Sequence, residues 1–106
     1  MRDRINQFEF LVILAVMRLD NDAYGVQVTQ EMTRLLRDPN ISVASVYAAL
    51  ERLENKGWVK RKLGEATPVR GGKAKTYFNA TPQGIAEVRA NRRALMRLWT
   101  GIAILG

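Results

Sequence analysis

The chain has 106 residues, 47% of them hydrophobic and 25% charged, which fits one domain with a modest core. It contains neither cysteine nor histidine, so disulfides, thiol catalysis and thiolate metal sites are excluded, and no metal or other cofactor is expected. The formal net charge of +7 points to an anionic partner, most often nucleic acid, although charge of this size also serves solubility alone.

From about Ile5 to Leu19 the pattern predicts a first helix, with Phe8, Leu11, Val12, Ala15 and Leu19 at helical spacing. Ile13, Leu14 and Val16 widen the apolar surface, which predicts cover on two sides, the second side from another subunit. Glu9 and Arg18 mark this segment as a buried helix rather than a leader peptide, and no stretch is apolar for long enough to span a bilayer. A cytoplasmic location without membrane contact is therefore expected. Asn21 and Asp22 read as a turn and helix cap before a second helix over about Ala23 to Arg37. Tyr24, Val28, Met32 and Leu35 make its inner face. Gly25 in its first turn costs roughly 1 kcal/mol against alanine; either a neighbour packs close there or the fold tolerates the glycine.

After Asp38-Pro39-Asn40 comes ISVASVYAALERLENKG, residues 41–57, a helix with a marked start and stop. Ser42 suits the N-cap, Lys56 the last turn and Gly57 the C′ position. Val43, Val46, Leu50 and Leu53 form one apolar face, while Ala44, Ser45, Tyr47, Ala48 and Arg52 fall largely off it. Small and hydrogen-bonding side chains suit a helix lying in a DNA groove, where the backbone must approach closely. An ordinary amphipathic helix is the alternative on this stretch alone. Helices two and three with their short turn fit a helix-turn-helix. Trp58–Leu63 and Lys73–Ala80 then read as strands joined by a turn-rich loop containing Pro68 and Gly71-Gly72. That is a β-hairpin wing, with Arg70, Lys73 and Lys75 at or beside a tip that could reach a phosphate backbone.

Thr81-Pro82 opens a last helix predicted to run to about Leu105, with Thr81 at the N-cap and Pro82 at N1. Ile85, Val88, Arg92, Leu95, Trp99 and Ile102 alternate at spacings of three and four, a heptad-like seam interrupted by Arg92. A helix this long cannot pack wholly on so small a core, so the expectation is a pairing helix for a homodimer. A helix folded back over the first one is the alternative. The fold class expected is mainly α with a small β-hairpin. Residues 1–80 form a winged helix-turn-helix and residues 81–106 a C-terminal dimerisation helix.

The run from Ser42 to Val59, with its Tyr47-x-x-Leu50-x-Arg52-Leu53-Glu54 core, resembles the recognition helix of PadR-type transcriptional regulators. Tyr24-Gly25, the wing sequence GGKAKTYF (residues 71–78) and Thr81-x-x-Gly84 resemble other motifs of that family, and together they span about Phe8 to Leu105. The resemblance implies a dimeric repressor of a two-fold site on double-stranded DNA. It implies that Tyr47 contacts the DNA backbone, that Ala44, Ser45 and Ala48 face the groove, and that Lys73 and Lys75 serve the wing. It also implies a dimer joined through the last helix and the first, the latter bringing Phe8 and Leu11. Some family members bind aromatic or drug-like effectors near that interface, so Trp99 and Leu95 are candidates for an effector pocket. Trp99 lies a turn beyond the family's interface tryptophan, whose place falls nearer Leu95, and a tryptophan of the dimer core is the favoured reading. Ala80 stands where a leucine is usual, which predicts a thinner core there, and the larger C-terminal domain of some members is not expected. Two other classes compete. One is a winged-helix adaptor or non-specific nucleic-acid binder; the other, an enzyme, would rest on Glu51 and Glu54, which read instead as a solvated face and as partners of Arg52 and Lys56.

Overall fold

The computed structural model describes residues 4–20, 23–64 and 76–106. Among these the chain forms helices α1 (Gln7–Arg18), α2 (Gly25–Leu36), α3 (Val43–Asn55) and α4 (Pro82–Trp99), with strands β1 (Ala23–Tyr24), β2 (Val59–Leu63) and β3 (Thr76–Ala80). The strands lie antiparallel in the order β1-β3-β2. Phe78 stands opposite both Ala23 and Arg61, and Tyr77 opposite both Tyr24 and Lys62. The mainly helical class is as expected, but the sheet has a third strand. Periodicity puts Ala23 and Tyr24 in the second helix; they are extended instead, because β3 supplies their hydrogen-bond partners. Consequently α2 starts at Gly25, with Tyr24 at its N-cap. Asn21 and Asp22 lie outside the described residues.

The core gathers Val12, Ile13 and Val16 from α1, Val28 and Met32 from α2, and Val46, Ala49, Leu50 and Leu53 from α3. Trp58, Val59 and Phe78 close it from the sheet side, and Val88 from α4. The buried stripe of α1 is rotated from the predicted one, leaving Phe8, Leu11, Leu14 and Leu19 only partly covered at its edges. Leu35 and Val43, placed on inner faces by periodicity, are exposed, and Ala49 joins the buried face of α3 instead. Leu35 sits in the last turn of α2 and Val43 in the first turn of α3, where each helix runs past the core.

Among the described residues, one charged group lies inside this core. Glu9 is completely buried. Its Oε1 accepts from the Asn6 amide at 2.9 Å and from Lys56 Nζ at 2.8 Å, and its Oε2 accepts from Arg52 Nε at 2.9 Å. The Asn6 side chain in turn accepts from the Glu9 amide, completing a capping box at the start of α1. Lys56 Nζ also donates to the Arg4 carbonyl at 3.0 Å. The beginning of α1 is thereby tied to the second half of α3. This differs from the partners expected for Arg52 and Lys56, since Glu54 reaches Arg61 of β2 instead. Burial alone would raise the Glu9 carboxyl, but the hydrogen bonds from Lys56, Asn6 and Arg52 outweigh it and hold the group below its ordinary value.

A second junction fixes the start of α4. The Thr81 amide donates to the Trp58 carbonyl at 3.0 Å, and Thr81 Oγ1 donates to the Gly57 carbonyl while accepting from the Gly84 amide at 3.0 Å. A Cβ on Gly84 would lie 2.0 Å from the Trp58 carbonyl oxygen, so only glycine lets the helix sit this close. Gly84 and Val88 are the buried residues of α4, and beyond Asn91 every residue is exposed. The helix stops at Trp99, short of the expected Leu105. Gly101 takes φ +94°, and a short 3₁₀ turn over Ala103–Leu105 ends the chain. Ile102 therefore lies past the helix, and the seam does not extend to it. The projecting α4 accounts for overall dimensions of 58 × 32 × 22 Å.

The Glu9 cluster gives stability a defined pH dependence. Because the folded carboxyl titrates below its ordinary value of about 4.5, its contribution is complete above that pH and is lost as pH falls through the lowered folded value. Glu9→Gln, which leaves Arg52 and Lys56 facing a neutral group, is expected to lower stability by about 3 kcal/mol at neutral pH. In urea titrations the gap from the parent should close as pH drops below 4.5; a gap independent of pH would show that the buried charge is not its source.

Candidate nucleic-acid interface

Local signals fix α3 at both ends. Ser42 Oγ accepts from the Ser45 amide at 3.0 Å, and Gly57 follows the helix with φ +80°. Helical spacing then sorts the surface. Opposite the buried residues runs an exposed strip of Ala44, Ala48, Glu51 and Asn55. Ser45, Arg52 and Lys56 border it on the side of α1, and Val43, Tyr47 and Glu54 on the side of the sheet. The two alanine methyls leave the helix backbone open to close approach, which a groove-reading helix needs.

Ala44 and Ala48 lie on the exposed strip. Ser45 is half-buried, and its hydroxyl donates back to the Ser42 carbonyl at 2.8 Å, so its hydrogen is already committed. Tyr47 is 40% exposed and lies edge-on to Phe78, with ring centroids 6.3 Å apart. Its ring also covers Gly25, where an added Cβ would sit 2.3 Å from Tyr47 Cζ. The close neighbour that the first-turn glycine called for is therefore this tyrosine. Arg52 is half-exposed, with its Nε on Glu9.

On the sheet, Lys60 and Lys62 are exposed. Arg61 between them turns to the other side, donating from Nε to both Glu54 carboxylate oxygens at 2.9 and 3.1 Å, with its guanidinium 5.6 Å from the Phe78 ring centre. It joins the base of the wing to α3. Arg70, Lys73 and Lys75, the expected tip residues, lie outside the described residues.

Among the residues expected to face a second subunit, Val88 is buried in the chain's own core, because α4 still lies on that core over its first two turns. Phe8 and Leu11 are half-buried. Leu11 helps line an apolar hollow of about 150 Å³ with Leu14, Ala15, Met32, Leu35 and Leu36. Ile85 borders a cavity of about 200 Å³ with Val16, Met17, Asp20, Asn79 and Ala80, which places free volume beside the small residue that predicted a thinner core. Arg92, Leu95 and Trp99 are exposed on α4, and Ile102 is exposed beyond it. Glu51 is exposed, as the solvated face read from the sequence requires, whereas the partners of Glu9 were not foreseen. A lone acid in an otherwise apolar run, matched to two cations four residues apart on α3, is the signal that points to Glu9.

The model of the transcriptional regulator PadR-like family matches residues 13–90. The chain belongs to the PadR-like family. It is thus a DNA-binding transcriptional regulator, a class that is not enzymatic. It is 35% identical over 79 residues to a transcriptional regulator of Mycobacterium tuberculosis, a match covering 74% of this chain and 68% of that one. Its fold is similar to that of a PadR-family regulator from Eggerthella lenta, with TM-score 0.70, 23% identity and coverage of 90% of this chain and 80% of that one. It is also similar to a PadR-like regulator from Bacillus cereus, with TM-score 0.72, 16% identity and coverage of 92% and 89%. Among the described residues no helix is long and apolar enough to cross a membrane.

The Gly25–Tyr47 contact yields a prediction that separates folding from DNA binding in this PadR-like protein. Gly25→Ala improves helix propensity by roughly 1 kcal/mol but drives a methyl into the Tyr47 ring, which must swing outward. Near-parental thermal unfolding with weakened DNA binding is the expected pair of results. Outright unfolding would mean that the ring cannot move.

Proposed function

We propose that the chain is a dimeric, sequence-specific repressor that binds a two-fold site on double-stranded DNA in the cytoplasm. Residues 1–80 carry the DNA-binding unit and residues 81–106 the pairing helix. The observation that carries the dimer is the outer part of α4. Beyond Asn91 it is exposed on all sides, yet it presents Leu95, Met96, Leu98 and Trp99 to solvent. An apolar helix end of this kind is stable in water when a second copy covers it. Phe8 and Leu11, half-covered on α1, supply apolar surface for the same partner. Leu95 and Trp99 would then stand at the subunit boundary, where an aromatic effector could sit. In each subunit the strip of Ala44 and Ala48 lies in a major groove, Tyr47 and Arg52 meet the backbone, and Arg70, Lys73 and Lys75 extend the contact from the wing. Repression, rather than activation, follows the family resemblance. Two such helices related by a two-fold axis read half-sites about one helical turn, roughly 34–36 Å, apart.

Selection of genomic fragments by the purified protein tests the reading. One short palindrome should be enriched and retained over unrelated DNA, with affinity of ~10⁻⁸ to 10⁻¹¹ M. Salt-sensitive binding to every fragment, with none enriched, would instead make the protein a non-specific binder. For the dimer, Leu95→Asp combined with Trp99→Asp should sediment as a folded monomer and lose the palindrome. A double variant that still sediments as a dimer would remove pairing from α4.

A further inference from the structure

We propose that Glu9 is a positioning residue for DNA binding: it holds Arg52 by Nε and so aims the terminal amino groups of that guanidinium at a DNA phosphate. The inference rests on the DNA-binding surface described above and adds to it a residue from another helix that never touches DNA. Glu9 uses its two cations unequally. Lys56 is largely covered, with 21% of its side chain exposed, and its single ammonium serves both Glu9 Oε1 and the Arg4 carbonyl. It matches the buried negative charge. Arg52 is held through Nε alone, and 46% of its side chain remains exposed. Among the described residues, none accepts from its terminal nitrogens.

A guanidinium is a rigid planar fork, so fixing the Nε edge fixes the direction of the other two nitrogens. The anchor is firm because three donors immobilise a carboxylate that has no exposure at all. An ion pair between two solvated side chains would hold the fork only loosely. Arg52 borders the exposed strip one turn beyond Ala48, at the rim rather than the centre, and the rim of a groove-bound helix meets phosphates. With Lys56 offsetting Glu9, the positive charge of Arg52 remains available outward.

The sign of one substitution tests this. Glu9→Gln removes a negative charge, so electrostatics alone would strengthen binding to DNA. Release of the grip on Arg52 would weaken it. The probe is the short palindromic duplex enriched by the parent protein, titrated over a series of salt concentrations with variants confirmed as folded by circular dichroism. Glu9→Gln is expected to bind about tenfold more weakly, the effect of removing one charge-assisted hydrogen bond. The slope of log affinity against log salt should shrink by about one, as for a single phosphate that is no longer neutralised. Arg52→Lys keeps the charge and the ion pair but replaces the flat fork, whose terminal nitrogens stand out beyond Nε, with one ammonium drawn in toward Glu9, so it should lose affinity similarly. In an Arg52→Ala background, Glu9→Gln should cause no further weakening. Unchanged or tighter binding by folded Glu9→Gln overturns the proposal, as does Arg52→Ala with parental affinity and slope. If Glu9→Gln does not fold, Arg52→Lys decides, parental binding counting against the proposal. A parent protein that enriches no duplex defeats the operator reading and this inference together.

Discussion

A carboxylate with no access to water, held by three donors from two parts of the chain, is the constraint that orders this small regulator. Asn6, Arg52 and Lys56 together offset the cost of burying the Glu9 charge inside the core. An apolar contact between α1 and α3 would tolerate sliding and rotation, since dispersion is short-ranged but not directional. The two hydrogen bonds that Arg52 and Lys56 bring to separate Glu9 oxygens do not. They set both the rotation of α3 about its axis and its position along α1. The face that α3 turns outward, Ala44, Ala48, Glu51 and Asn55, is thus settled partly from beneath.

The opposite flank of α3 is held by softer means. Tyr47 fills the space that Gly25 leaves and meets Phe78 edge-on, and Glu54 joins Arg61 at the base of the wing. These contacts are half-exposed, whereas those to Glu9 are inside. α3 and the sheet can therefore adjust to each other on this side while the α1 side stays fixed. That division suits a protein that must dock rigidly but accommodate local variation in DNA shape.

Features determined by adjacent residues are legible in the sequence. Ser42, Gly57 and the Thr81-Pro82 pair act within a turn of where they stand, and each caps its helix as read. The family motifs likewise lie in short runs. What the sequence conceals depends on partners far along the chain. Ala23 and Tyr24 look helical until β3, more than fifty residues later, pairs with them. Glu9 looks like a polar marker on a helix until residues forty-three and forty-seven positions away come to it. Periodicity also says which residues share a face but not how far the core extends beneath it, so it puts Val43 and Leu35 inside although both stand outside. In the last helix the apolar spacing runs on across Gly101, while the backbone turns there. For the site itself, the small residues of α3 are legible from composition, whereas the commitment of the Ser45 hydroxyl to Ser42 is visible only in three dimensions.

The seat of α4 has a mechanical consequence. Thr81 and Gly84 bolt its first turn to the carbonyls of Gly57 and Trp58, just past the end of α3. The eighteen-residue helix is a lever about 27 Å long at 1.5 Å per residue, so a tilt of about 5° at its base moves its far end by roughly 2 Å. In a symmetric pair, gripping the far ends at a different angle would swing both reading heads about these bolts. The protein would then behave as a caliper, whose jaw opening is set at the handles.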